Sequence, residues 1–348
     1  MTFLVSLLFS GSKAFFWIQI GLLLYLPPST LLAETNLNEG ASSLKKPEEQ
    51  VDGPFSFSFK KPGEKAVIPF QRAGDHLIAP VRINHQEAGW FLLDTGAYCN
   101  LIDTAVAKRF NLPELGQWSI AGIGGANKAM VCKVGSLLLG EVELQNHSLS
   151  EYDISPLSKS LGVDLAGILG AFFWCQLPFT LDYHTSTITF YSRESFQPPA
   201  NARVEELKLG GGRPAVKCRL NGKHDAWLLL DSGASGHVSI EPLFVKQHPD
   251  LFEGKSQSTG LVGGIVGIEK HSFTKLASFE IFGVARPDVE VSVRQEDEGT
   301  ALWETPPDLS NWMVGLVGEG ILGDYRLTFD YMSLKMWIEK PPEQKIGK

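Results

Sequence analysis

Residues 81–97 read VRINHQEAGWFLLDTGA, and residues 218–234 read CRLNGKHDAWLLLDSGA. They align without a gap at a constant offset, 231 − 94 = 137. Each copy reads as a β-hairpin. The turn is Asn84-His85 in one and Asn221-Gly222 in the other, and Asn-Gly is a strong two-residue hairpin signal, because such turns need a left-handed backbone. The returning strand starts at Trp90 or Trp227, stays apolar, and ends at Asp94-Thr95-Gly96-Ala97 or Asp231-Ser232-Gly233-Ala234. Self-similarity at a fixed offset means one structural unit used twice.

Beyond these hairpins the match continues more loosely. A short helix is expected near 103–110 and another near 241–247. Glycine-rich hairpins follow, with Gly122, Ile123, Gly124 and Gly125 in the first copy and Val262, Gly263 and Gly264 in the second. Gly167-Ile168-Leu169-Gly170 is matched to Gly320-Ile321-Leu322-Gly323. Each copy then closes with a strand pair, near 179–190 and 327–338. The offset from Asp to the final Gly is 170 − 94 = 76 in one copy and 323 − 231 = 92 in the other, and the polar stretch 295–311 accommodates an insertion. These matches divide the chain into an N-terminal lobe, 66–195, and a C-terminal lobe, 203–340, with a tail at 341–348. Plentiful Gly (35) and Pro (20) among short apolar runs favour a mostly β fold with short helices.

Positions 1–33 read as an export signal: Lys13, an apolar run from Ala14 to Leu26, a Pro27-Pro28 break, and Ala33 as a small exit residue. The run is short for a membrane span of about 20 residues. A secreted or periplasmic location follows, with an uncleaved membrane anchor as the alternative. Positions 34–65 are polar and are expected to be a flexible linker or a pro-segment. The net charge of −8 argues against nucleic acid as a partner, since phosphate binding needs a basic face. Cys99, Cys132, Cys175 and Cys218 are scattered, so zinc is not expected, and the three possible disulfide pairings stay open.

Chemistry points to the two Asp-Thr/Ser-Gly turns. Two carboxylates about 3 Å apart cannot both ionise easily and share one proton. The ionised one can then take a proton from water, while the protonated one supports a carbonyl oxygen. No metal or cofactor is needed. Thr95 and Ser232 supply hydroxyls for the opposite copy, Gly96 and Gly233 let the backbones approach, and Ala97 and Ala234 leave room around the pair.

Paired hydrophobic-hydrophobic-Asp-Thr/Ser-Gly motifs, each with a downstream Ile-Leu-Gly (Ile168, Leu169, Gly170; Ile321, Leu322, Gly323), resemble the aspartic peptidases in their two-lobed form. Ala after each Gly, and the Ile123-Gly124-Gly125 flap-like tip, are similar to the retropepsin-like branch. The resemblance implies a bilobal fold of two β-barrel lobes, and an endopeptidase of a bacterial, exported type, acting as a monomer on peptide or protein substrates through Asp94 and Asp231. A peptide-binding protein that keeps the fold without catalysis is the competing reading. Because no hydroxyl follows either Gly, the charged carboxylate is less stabilised, and a pH optimum less acid than in pepsin-like enzymes is expected.

Overall fold

In the computed structural model, residues 17–18, 22–24, 56–59, 65–295 and 312–340 are described. The described chain is mostly β, with helices of seven residues or fewer. The expected exit of the export signal, the linker as far as residue 55, the insertion beyond residue 295 and the tail lie outside these residues.

Both Asn turns form as the sequence dictates. Asn84 (φ 48°) and His85 (φ 64°) are left-handed, as are Asn221 (φ 50°) and Gly222 (φ 67°), and Asn tolerates that region better than other residues with a Cβ. Each Asn side chain also accepts a backbone N–H from the neighbouring long hairpin, from Ser136 at 3.1 Å and from Ser278 at 3.2 Å. The strands feeding these turns, His76–Ile83 and Arg213–Leu220, bury the same positions in the same order.

The repeat is carried through to topology. One sheet runs, edge to edge, through Leu22–Leu24, Glu114–Gly122, Gly125–Leu139, Val142–Tyr152, Leu101–Asp103, Leu165–Leu169, Gln86–Leu93, His76–Ile83 and Gln71–Ala73. The other runs through Trp17–Ile18, Ser258–Gly263, Ile268–Ile281, Val284–Arg294, Val238–Ile240, Met313–Val317, His224–Leu230, Arg213–Leu220 and Lys208–Gly210. In each, the long second hairpin strand also pairs with the strand before the Asn turn, so the sheet curls back on itself. The closing strand pairs do not stay with their own copies. Phe179–Asp182 pairs with Arg326–Asp330, which fuses both into one six-stranded sheet with Thr180 and Thr328 hydroxyls 2.7 Å apart. Stacked Phe179 and Phe329 (4.9 Å) lie in the core under that seam.

Two expectations need correction. The 34–65 segment is not free of structure at its end: Ser56–Phe59 is a strand on Val142–Tyr152, and Phe57 packs against Phe173 at 5.4 Å. Its Ser-Phe-Ser-Phe alternation is a half-buried strand pattern too short to stand out in a polar stretch. The second correction concerns Ile321, Leu322 and Gly323. Leu169 and Val317 occupy equivalent places, since Leu93 aligns with Leu169 and Leu230 with Val317 in parallel strands. The counterpart of Gly167-Ile168-Leu169-Gly170 is therefore Gly315-Leu316-Val317-Gly318, five positions upstream of the expected match. Close approach demands the glycine: a Cβ on Gly170 would lie 2.3 Å from Cys99 O, and one on Gly318 would lie 2.7 Å from Ala234 O and Gly236 O. Ile321 and Leu322 instead belong to the helix Glu319–Leu322, which follows Gly318 as Ala171–Trp174 follows Gly170.

Candidate active site

Each aspartate ends an apolar strand, and its backbone N–H is held by the parallel neighbour, Asp94 to Leu169 O (3.0 Å) and Asp231 to Val317 O (2.9 Å). The chain then turns through Thr95-Gly96 and Ser232-Gly233, and the two turns interlock. Thr95 Oγ1 donates to Leu230 O (2.7 Å) and accepts from Ser232 N–H (3.0 Å), while Ser232 Oγ donates to Leu93 O (2.8 Å) and accepts from Thr95 N–H (3.0 Å). Every group in this exchange is buried.

Interlocking brings together the carboxyls that sequence separates by 137 positions. A Cβ on Gly96 would sit 2.3 Å from Asp231 Cγ, and one on Gly233 would sit 2.3 Å from Asp94 Cγ. Only glycine fits under each carboxyl. Asp94 Oδ1 accepts from Gly96 N–H and Ala97 N–H, both at 2.8 Å. Asp231 Oδ1 accepts from Gly233 N–H at 2.9 Å. Neither Oδ2 atom has a hydrogen-bond partner. Both aspartates are 0% exposed. Burial drives both carboxyls above their ordinary range. The Asp231 charge pushes Asp94 up further, while the turn N–H groups pull both back in part.

The glycine-rich hairpins meet at their tips. The first tip lies at Ile123-Gly124, between strands that pair Gly122 with Gly125. The second is longer than expected: Val262 is buried inside a strand, and the tip spans 264–267, closed by Gly264 N–H to Gly267 O (2.8 Å). Gly124 and Gly267 touch through their backbones, and Gly124 N–H donates to Glu269 Oε1 at 2.9 Å. Ile265 packs in the cluster that holds Ala97, Leu101 and Ile120 of the first copy. Two short stretches of the N-terminal segment add strands to these hairpins, Trp17–Ile18 parallel to Val262-Gly263 and Leu22–Leu24 antiparallel to Ile120–Gly122.

Other groups fall into supporting places. Ala97 O and Ala234 O accept from Ala171 N–H (2.8 Å) and Glu319 N–H (2.9 Å), fixing the loops to the short helices. Trp90 and Trp227 are half-buried; Trp227 lies under the Lys208 ammonium at 4.3 Å. Cys99 lies buried against Ser150, and burial pushes its thiol up to about 12, which removes it as a nucleophile. All four cysteines are free thiols. Three residues of the site, Trp174, Asn100 and Glu269, carry no signal in the sequence alone. Trp174 Nε1 donates to Asp94 O (3.1 Å) and Leu169 O (2.8 Å), and Asn100 Oδ1 accepts from Gly170 N–H (2.9 Å). The repeat does not mark Trp174, because Leu322 follows Gly318 where Trp174 follows Gly170.

Among the comparisons with known proteins, no curated protein matches the chain. Residues 79–173 match the family model of aspartyl proteases. The matched span begins in the strand before the Asn84 turn, contains Asp94-Thr95-Gly96-Ala97, the first glycine-rich hairpin and Gly167–Gly170, and ends in the helix after them; this part of the chain is similar to an aspartyl protease.

Proposed function

We propose that the chain is an aspartic endopeptidase built from two retropepsin-like lobes, exported, and active as a single chain. The observation that carries this reading is the reciprocal fit of Gly96 against Asp231 and Gly233 against Asp94, which brings two buried carboxyls together with their Oδ2 atoms free of other donors. The pair holds one proton. Its ionised member takes a proton from water as the water oxygen bonds to the scissile carbon. Its protonated member donates to the carbonyl oxygen, which takes up the electron pair of the broken π bond. Collapse of the tetrahedral intermediate sends a proton to the leaving amine and restores the pair.

The substrate is an extended peptide under the two glycine-rich hairpins, which act as flaps. Supporting this, both hairpins already accept added strands from residues 17–18 and 22–24, so their edges can hold a chain by backbone hydrogen bonds. The test is cleavage of an unfolded protein with and without a statine-type inhibitor. Activity is expected to vanish in Asp94→Asn and in Asp231→Asn separately. An inhibitor-sensitive wild type whose activity survives either change would refute the shared-pair mechanism. Tight peptide binding with no cleavage at any pH would instead favour a silent peptide-binding protein.

A further inference from the structure

The strands His76–Ile83 and Arg213–Leu220 begin at equivalent positions, 213 − 76 = 137, and the first side chain of each is buried, 1% and 2% exposed. The two respond to burial differently. Burial draws the His76 imidazole down to about 4, so it sits neutral at most pH values. A guanidinium cannot discard its proton in this way. Arg213 Nε donates to Gly210 O (3.1 Å) and Nη1 reaches Gly96 O (3.5 Å), while Nη2 is buried without a hydrogen-bond partner. Gly96 is the residue against which Asp231 rests. The groups acting on Arg213 by charge are Asp231, then Asp94, then Tyr98, so the paired aspartates are its only carboxylates among these. Around the pair, Cys99 and Tyr183 are held neutral by burial. Glu319, the next carboxylate near Tyr183, is already bonded to Arg72.

We propose that Arg213 is the counter-ion of the Asp94–Asp231 pair and fixes its single negative charge on Asp231. A buried cation with one unused N–H edge needs a compensating anion, and the pair, carrying one charge, supplies it. The balance is one guanidinium, one carboxylate and one carboxylic acid. Arg213 reaches Gly96, the residue against which Asp231 rests, and its counterpart in the first copy, His76, is neutral. Roles follow: Asp231 takes the proton from water, and Asp94 donates to the carbonyl oxygen. This rests on the peptidase reading above and makes Arg213 a positioning residue, since it acts through Gly96 and Asp231.

Two variants separate charge from hydrogen bonding. Arg213→Gln places an amide N–H at the Nε position, keeping the donor for Gly210 O but losing the charge, and Arg213→Lys keeps the charge but loses the fork. The readouts are kcat/KM against pH on an unfolded protein, and melting temperature against pH. The acid limb of the rate profile is expected to move up by about one pH unit or more in Arg213→Gln, and to stay near wild type in Arg213→Lys. Arg213→Gln is also expected to lose stability more steeply than wild type as pH rises from about 4 to about 7. An unmoved limb and slope in Arg213→Gln overturn the proposal. So do equal shifts in both variants, or loss of folding in both, because a counter-ion role requires Lys to be tolerated. An inactive wild type sinks the peptidase reading alone, and the melting series still decides on Arg213.

Discussion

Replacing Thr95 by Val removes a hydroxyl and almost no volume, and so isolates what interlocking is worth. Two hydrogen bonds go: the one given to Leu230 O and the one taken from Ser232 N–H. Both partners are buried, with Leu230 at 0% and Ser232 at 1% exposure, and water does not replace the lost hydroxyl. An orphaned buried group costs about 1–3 kcal/mol, so with two of them Thr95→Val should cost about 2–6 kcal/mol. Ser232→Ala orphans Leu93 O and Thr95 N–H in the same way. The two hydroxyls share no bond, so independent action would make the double variant lose the sum, a large part of the roughly 5–15 kcal/mol that holds an ordinary domain folded. They close the same contact, however. Once one side opens, the other has less to hold, and the double variant should lose less than the sum by about 1 kcal/mol or more. Urea unfolding gives the stabilities, and kcat/KM on the same samples shows whether the carboxyls still meet. A loss in Thr95→Val below about 0.5 kcal/mol, less than one ordinary hydrogen bond contributes, would contradict this account. Strict additivity with activity retained would do the same.

The paired aspartates also set a stability trend. Their folded values are raised by burial, so their protonated forms favour the fold at acid pH, and that contribution is lost as pH rises through the folded values. Asp94→Asn should therefore melt above wild type at pH 7, by roughly 2–4 °C for each kcal/mol relieved, with the gap closing toward pH 4; a variant that melts lower at pH 7 contradicts the assignment. Gly96→Ala forces a Cβ to within 2.3 Å of Asp231 Cγ, so it should cost about 1–3 kcal/mol in overpacking and abolish cleavage; retained activity would mean that the turns do not close on each other. Glu269→Ala removes the acceptor for Gly124 N–H and should raise KM several-fold with kcat little changed. Burial opposes ionisation of Glu269, yet His271 and that N–H hold its carboxyl below the usual value. This contact should therefore persist in mildly acid buffer and fail only as pH falls through that lowered value, which pH-dependent KM would reveal.

The repeat is legible because its hairpins are local. Asn at a left-handed turn, an apolar return strand and Asp-Thr/Ser-Gly all lie between positions 81 and 97 or between 218 and 234, and no distant contact is needed to recognise them. Reading fails where a local pattern has a near-copy. Gly315-Leu316-Val317-Gly318 and Gly320-Ile321-Leu322-Gly323 fit the same template five positions apart. The register of Met313–Val317 beside His224–Leu230 and the bond from Asp231 N–H to Val317 O choose between them. The seam between Phe179–Asp182 and Arg326–Asp330 is equally hidden, since a strand does not announce whether it pairs within its own copy or across to the other. Trp174 and Glu269 act through contacts with no periodic signature.

Two identical copies would build two identical carboxyls, and acid–base chemistry on one water needs unequal ones. A symmetric dimer must break the tie when substrate arrives. A fused chain can break it in advance by letting equivalent positions diverge. Here the divergence sits where alternation buries the first residue of a strand: a neutral His76 on one side and Arg213 on the other. The turns pull the other way, since Asp94 Oδ1 receives two backbone N–H donors and Asp231 Oδ1 one, which favours charge on Asp94. With no hydroxyl following either glycine, charge at distance is the remaining means of favouring an ionised Asp231. The least symmetric buried charge in the repeat is thus the place where this pair's proton is decided.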